Sequence, residues 1–192
     1  MPSRMTPRTS PEKLLGDVPE VTVRPVTGCP FVTAVTHSNA EARVTLNGVR
    51  DEPGVAGRIF GALAEANVNV DVIIQNEPVS TEHGADLSFT ISLDDLGVAV
   101  EALATTGVSA DRILTDEQVG KVSIIGAGMR SHPGVAAKVF QVLGEAKINI
   151  EMISTSPIKI SCVIPADRVA DAVNLLHRAF DLGEDAIKPE DP

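Results

Sequence analysis

One stretch of this chain occurs twice. Pro53-Gly54-Val55-Ala56-Gly57-Arg58-Ile59-Phe60 lies over Pro133-Gly134-Val135-Ala136-Ala137-Lys138-Val139-Phe140, and the match continues through Leu63 and Leu143 to Asp71 and Glu151. About half of the aligned positions are identical, at a period near 80 residues, which is too long for a solenoid repeat and suits two small domains. Any fold proposed for the chain must therefore be drawn twice.

Each copy has the same grammar. A short apolar run, Val44 to Val49 or Val122 to Ala127, reads as a buried strand. A Pro-Gly pair then opens a helix, with Val55, Ile59, Leu63 and Ala66 at helical spacing in one copy and Val135, Val139, Leu143 and Ala146 in the other. Second strands follow at Val68 to Asn76 and Ile148 to Ser156. Third strands alternate through Leu87, Phe89 and Ile91, and through Ile158, Ile160, Cys162 and Ile164. Helices opened by Asp94-Asp95 and by Asp167 come next, their carboxylates near the positive helix end. The first copy closes on a strand, Arg112 to Thr115. The order is β-α-β-β-α-β, an α+β ferredoxin-like sandwich in each copy.

The second copy runs out of chain, because only Asp181 to Pro192 remain after its last helix. The alternating run Phe31 to Thr36 precedes the first copy, and we expect it to supply the missing edge strand of the second domain; the alternative is that it pairs with the first sheet. The first domain is then inserted into the second. The resulting division is a disordered leader over 1–28, a first domain over 44–117, a second over 29–43 plus 118–183, and a flexible tail over 184–192.

Composition excludes several functions. The net charge of −10 argues against a nucleic-acid partner, which requires a basic face. No basic amphipathic stretch suits a membrane surface and no apolar run reaches a membrane span, so a soluble, cytoplasmic protein is expected. His37, His83, His132 and His177 lack metal-ligand spacing to one another or to Cys29 and Cys162, and no nucleophile elbow is present. Neither a metal, a cofactor nor a catalytic residue is expected. Cys162, alternating with Ile160 and Ile164, reads as a core thiol.

The strand-to-helix junctions carry the binding signal. The first amides of a helix have no internal acceptor and can hold an anion such as an α-carboxylate. Asp51 beside them can take an α-ammonium, a combination that suits a zwitterion. The plainer alternative is an ordinary capped helix with Asp51 and Ser131 as N-caps. Gly126-Ala127-Gly128 has Ser131 where a dinucleotide fingerprint needs its third glycine.

Asp51 to Ala56, Asn69 to Asn76, Gly120 to Val135 and Asn149 to Ser156 resemble the regulatory region of aspartokinase. More closely, they resemble the separate β subunit of heterotetrameric bacterial aspartokinases. The resemblance implies two ACT domains, dimerisation through them, and feedback inhibition of lysine and threonine biosynthesis. By motif match, the effector-facing set is Asp51, Gly54, Val55, Ala56 and Gln75, completed across a dimer interface by Asn149, Ile150 and Ser156. A pseudo-equivalent second site uses Ser131, His132, Gly134, Val135, Asn69, Val70, Ser154 and Thr155. Backbone amides would hold the effector's carboxylate, Asp51 its amine, and Gln75 with Asn149 its side-chain end. His132 stands where the first site has its acid, and Pro78 replaces a small polar residue. The implied partners are a free amino acid (threonine, also lysine), a second copy of the chain, and a catalytic aspartokinase α subunit. The kinase's own amino-terminal motif is not found, so the chain alone is expected to be non-catalytic; Met1 and an unmatched leader favour a separate subunit over part of a fused enzyme. The reading from a different class is a ligand-free module that dimerises or docks a catalytic partner.

Overall fold

The computed structural model describes residues 31–50, 52–76, 84–107, 112–127, 129, 132, 134–182 and 187–189. Two long strands organise it. Strand β1 (Ala34–Val49) and strand β4 (Arg112–Ile125) pair antiparallel, from Ala34 opposite Ile125 to Asn47 opposite Arg112. The register shifts near Glu41, and such irregularities bend a strand pair. Each long strand thus serves one half-sheet with its first part and another with its second.

The first half adds β2 (Val70–Asn76) and β3 (Ala85–Ser92) beside β1, with helices α1 (Val55–Glu65) and α2 (Leu96–Thr105). The second half adds β5 (Met152–Thr155) and β6 (Lys159–Pro165) beside β4, with α3 (Val135–Glu145) and α4 (Val169–Ala179). The strand order is β2-β3-β1-β4-β6-β5. The fold is α+β, with the βαββαβ pattern occurring twice.

Periodicity explains the helices. Val55, Ile59 and Leu63 of α1, and Val135, Val139 and Leu143 of α3, repeat every four residues and are all buried. They close two separate cores, one beneath each helix pair, with Phe89 at the centre of the first and Phe180 in the second. Each helix also stops the same way. Asn67 and Lys147 take left-handed φ of 60° and 56°, and the amides of Val68 and Ile148 donate back to the carbonyls of Leu63 and Leu143 at 2.9 Å. That is a Schellman-type ending. The repeat extends to side chains: Thr45 and Ser88 share a hydroxyl hydrogen bond of 2.9 Å, as do Ser123 and Ser161.

The opposite faces of the two half-sheets meet through a third, smaller cluster of Val72, Val119, Met152 and Val163, with Ile74 against it. A bulge between Val70 and Ile73 makes this possible. It turns Val70 toward the first core and Val72 toward the junction, and the amide of Val72 is satisfied by the hydroxyl of Thr90 at 3.2 Å.

Several expectations are corrected. Phe31–Thr36 and Val44–Val49 are not separate strands, since β1 runs unbroken from Ala34; Arg112–Thr115 and Val122–Ala127 likewise merge into β4. Polar residues dominate the joins at 37–43 and 116–118, and pairing between the two strands carries the backbone across. Ala34 to Ser38 pairs with Lys121 to Ile125 of the second half. It is not an edge there, because β7 (Ile187–Pro189) pairs parallel to Val35–His37 outside it. Residues 187–189 are therefore strand rather than flexible tail. The second strand of the second copy is shorter than the expected 148–156. Neither α1 nor α3 has a side-chain N-cap: Gly54 and Gly134 occupy the cap positions with φ of 89° and 111°. The leader 1–28, with Cys29, Asp51, Pro78, His83 and Ser131, lies outside the described residues.

Candidate functional site

At the end of β1 the chain turns through Arg50 and Glu52 and enters α1, leaving an open cleft of about 90 Å³. Buried Val49, Val55, Ala85 and Leu87 form its floor. Arg50 and Glu52 stand at its rim, paired at 3.8 Å and both well exposed, so their attraction is weak. Gly54, Val55, Ala56 and Gln75 all line this cleft, which brings together four of the five residues assigned to the first-half set. The fifth, Asp51, is outside the described residues.

The cleft's chemistry follows from the helix start. The amide of Val55 is turned back to the carbonyl of Glu52 at 3.2 Å, and that of Arg58 reaches Gly54 at 3.1 Å. The amides of Ala56 and Gly57 between them lie in the first turn, where no helical acceptor exists. They supply N–H donors and the positive end of a short dipole, suited to a carboxylate. Gln75, on the exposed side of β2, adds an amide that both donates and accepts. Behind the cleft the backbones of Gly48 and Gly84 nearly touch: a Cβ at Gly84 would lie 2.7 Å from Gly48, and its φ of 65° is left-handed. Sequence reading assigned none of Arg50, Glu52, Ala85 or Leu87 to the effector-facing set, although the first two flank Asp51.

The remaining residues lie elsewhere in one chain. Asn149 is exposed and Ile150 half-buried just before β5, and neither lines the cleft. Ser156 closes the turn between β5 and β6, its hydroxyl accepting from the amides of Ile158 and Lys159 at 3.3 and 3.0 Å. In the second set, Gly134 and Val135 open α3, while Ser154 and Thr155 lie on β5. Asn69 and Val70 belong to the first half. The ring of His132, just ahead of α3, is stacked on Phe31 with centroids 3.2 Å apart.

No group of His, Cys, Asp and Glu among the described residues is placed to hold a metal ion. Burial pushes the Cys162 thiol up to about 12, which leaves it protonated and inert as a nucleophile. No helix among the described residues is long and apolar enough to cross a membrane.

The βαββαβ unit occurs twice, each copy passing from strand to helix through a Gly cap, and the ACT domain profile matches residues 44–106 and 122–180. The chain belongs to the ACT-domain family. Within it, the similarity is to the regulatory region of aspartokinases. The aspartokinase of Mycolicibacterium smegmatis is 46% identical over 157 residues, 81% of this chain and 37% of that one. The aspartokinase of Pseudomonas aeruginosa is 42% identical over 163 residues, 84% and 39% of the two chains. The chain thus spans under two fifths of the length of these relatives. Among solved structures, a chain from a crystal structure of aspartokinase alpha and beta subunits is 44% identical, covering 79% of this chain and 99% of that one, with a TM-score of 0.69. The ligand-free regulatory subunit of aspartate kinase from Thermus thermophilus is 38% identical, covering 78% and 98%, with a TM-score of 0.71.

Proposed function

We propose that this chain is a non-catalytic regulatory subunit that binds a free amino acid, threonine or lysine, and passes feedback inhibition to a catalytic aspartokinase chain in the cytoplasm. The observation that carries this reading is the β1–α1 cleft, where first-turn amides and the Gln75 side chain face one small space. The carboxylate of the effector rests on the amides of Ala56 and Gly57, and its far end is read by Gln75. Asp51 takes the ammonium group.

One chain supplies only part of the site. Its cleft measures only about 90 Å³, and Asn149, Ile150 and Ser156 lie in the other half. A second copy brings them over the cleft. The edge strands β2 and β5 suit that contact, since repeat-equivalent Ile73 and Ile153 are 48% and 42% exposed on them. We take the domains to be 44–117 and 29–43 plus 118–183, so that one inserted domain faces the other across the dimer. Effector contacts from two chains then favour one domain arrangement, a population shift felt by the catalytic partner. The same apolar edges support the second reading, a docking module that binds no ligand.

Isothermal titration of the chain with L-threonine and with L-lysine separates the two. Saturable heat with one of them, lost in Asp51→Ala and weakened in Gln75→Ala, supports sensing. Absence of heat or thermal shift with either amino acid leaves the docking module.

A further inference from the structure

Where the half-sheets meet, two ion clusters flank the small apolar contact. The Nζ of Lys121 on β4 lies 2.8 Å from Oε1 of Glu41 and 2.6 Å from Oδ2 of Asp71. Arg43 on β1 lies 2.8 Å from Asp116 and 2.6 Å from Glu151. The repeat relates the two, because Asp71 and Glu151 occupy the same position in each copy, as do Arg43 and Lys121. In each cluster a cation in one half holds a carboxylate from the other.

The two clusters differ in what can let go. Lys121 and Glu41 are 6% and 8% exposed, so parting them would leave unpaired charge out of water, which is strongly unfavourable. Asp71 is 47% exposed and can return to water at little cost. Glu41 therefore keeps Lys121 neutralised and in place, while Asp71 is the arm that engages and releases. Asp71 lies on β2, four residues before Gln75 on the same strand, and β2 forms a wall of the cleft. Lys121 lies in the part of β4 that pairs with β6 in the second half.

We propose that the Asp71–Lys121 pair is the link through which occupancy of the Gln75 cleft is transmitted to the second half of the chain, with Asp71 a positioning residue rather than a ligand contact. This rests on the sensing function proposed above. An effector that draws on Gln75 shifts β2 along its length, which makes or breaks the contact at Asp71. Lys121 then carries the change into β4 and β6.

The test compares the wild-type chain with Asp71→Asn and Asp71→Glu, the latter installing the residue that the second copy has at this position. Threonine and lysine binding is measured by titration, and amide hydrogen exchange of residues 119–125 and 159–165 is followed with and without the amino acid that binds. In the wild type, binding is expected to alter exchange in both segments. Asp71→Asn should bind within about twofold of wild type yet lose that distant change, and Asp71→Glu should restore it. A purely structural salt bridge would instead alter exchange equally with and without effector, which overturns the proposal. Undiminished transmission in Asp71→Asn overturns it too and leaves the sensing function standing. Failure of the wild type to bind either amino acid overturns both.

Discussion

At the scale of single residues, the cleft depends on groups of two kinds. Gln75 is exposed and holds no partner that the fold needs, so Gln75→Ala should leave stability within about 0.5 kcal/mol while weakening effector binding about tenfold, read by titration. The glycines behave oppositely. Gly84→Ala puts a methyl group 2.7 Å from Gly48 backbone at a left-handed φ, and should cost about 3 kcal/mol in chemical denaturation. Gly54→Ala meets nothing within 4 Å, so its cost should be the conformational strain alone, about 1 kcal/mol. Cys162 offers a pH test. Its folded pKa is raised from 9.0 to about 12, so the thiol favours the folded state below pH 9, and that contribution is lost as pH rises from 9 toward 12. Iodoacetamide at pH 8 should leave the peptide carrying Cys162 unlabelled until denaturant is added.

Elements were legible where their signal is local. The four α-helices among the described residues, the third strands and the Pro-Gly turn ahead of α1 follow from spacing and turn chemistry, because a buried helical stripe repeats within a dozen residues. The caps were not legible. Asp51 and Ser131 have good capping side chains, yet Gly54 and Gly134 take the position because the turn there needs positive φ. Strand lengths were also misread. The apolar runs stop at Thr36 and resume at Val44; Glu41 between them remains in strand because Lys121 across the ladder neutralises it. Lys121→Met would strand that carboxylate in the interior, and should destabilise the chain by about 3–5 kcal/mol, measured by thermal or denaturant unfolding.

At the scale of the molecule, two ferredoxin-like halves share two strands and touch through few apolar side chains and two ion clusters. The exposed edges belong to this scale as well. Replacing Ile73 and Ile153 with Asp together should shift the chain toward monomer in sedimentation experiments and weaken effector binding in parallel, since the proposed site is completed by a second copy. A variant that stays dimeric and binds as before would remove the β2 and β5 edges from the interface.

The sequence by itself determined that the domain is doubled, what the order of elements is, and which helix start offers unpaired amides. Those properties are set by neighbours within a turn or a strand, and the repeat displays each of them twice. Only the tertiary structure decided that β1 and β4 are continuous and that residues 187–189 add a strand beside Val35–His37. It also placed Gln75 and Gly54 around one cleft and stacked Phe31 on His132. These outcomes rest on pairings between residues tens of positions apart, whose strength comes from ladder hydrogen bonds and neutralised charge across the sheet. Such terms leave no period in the chain to be read.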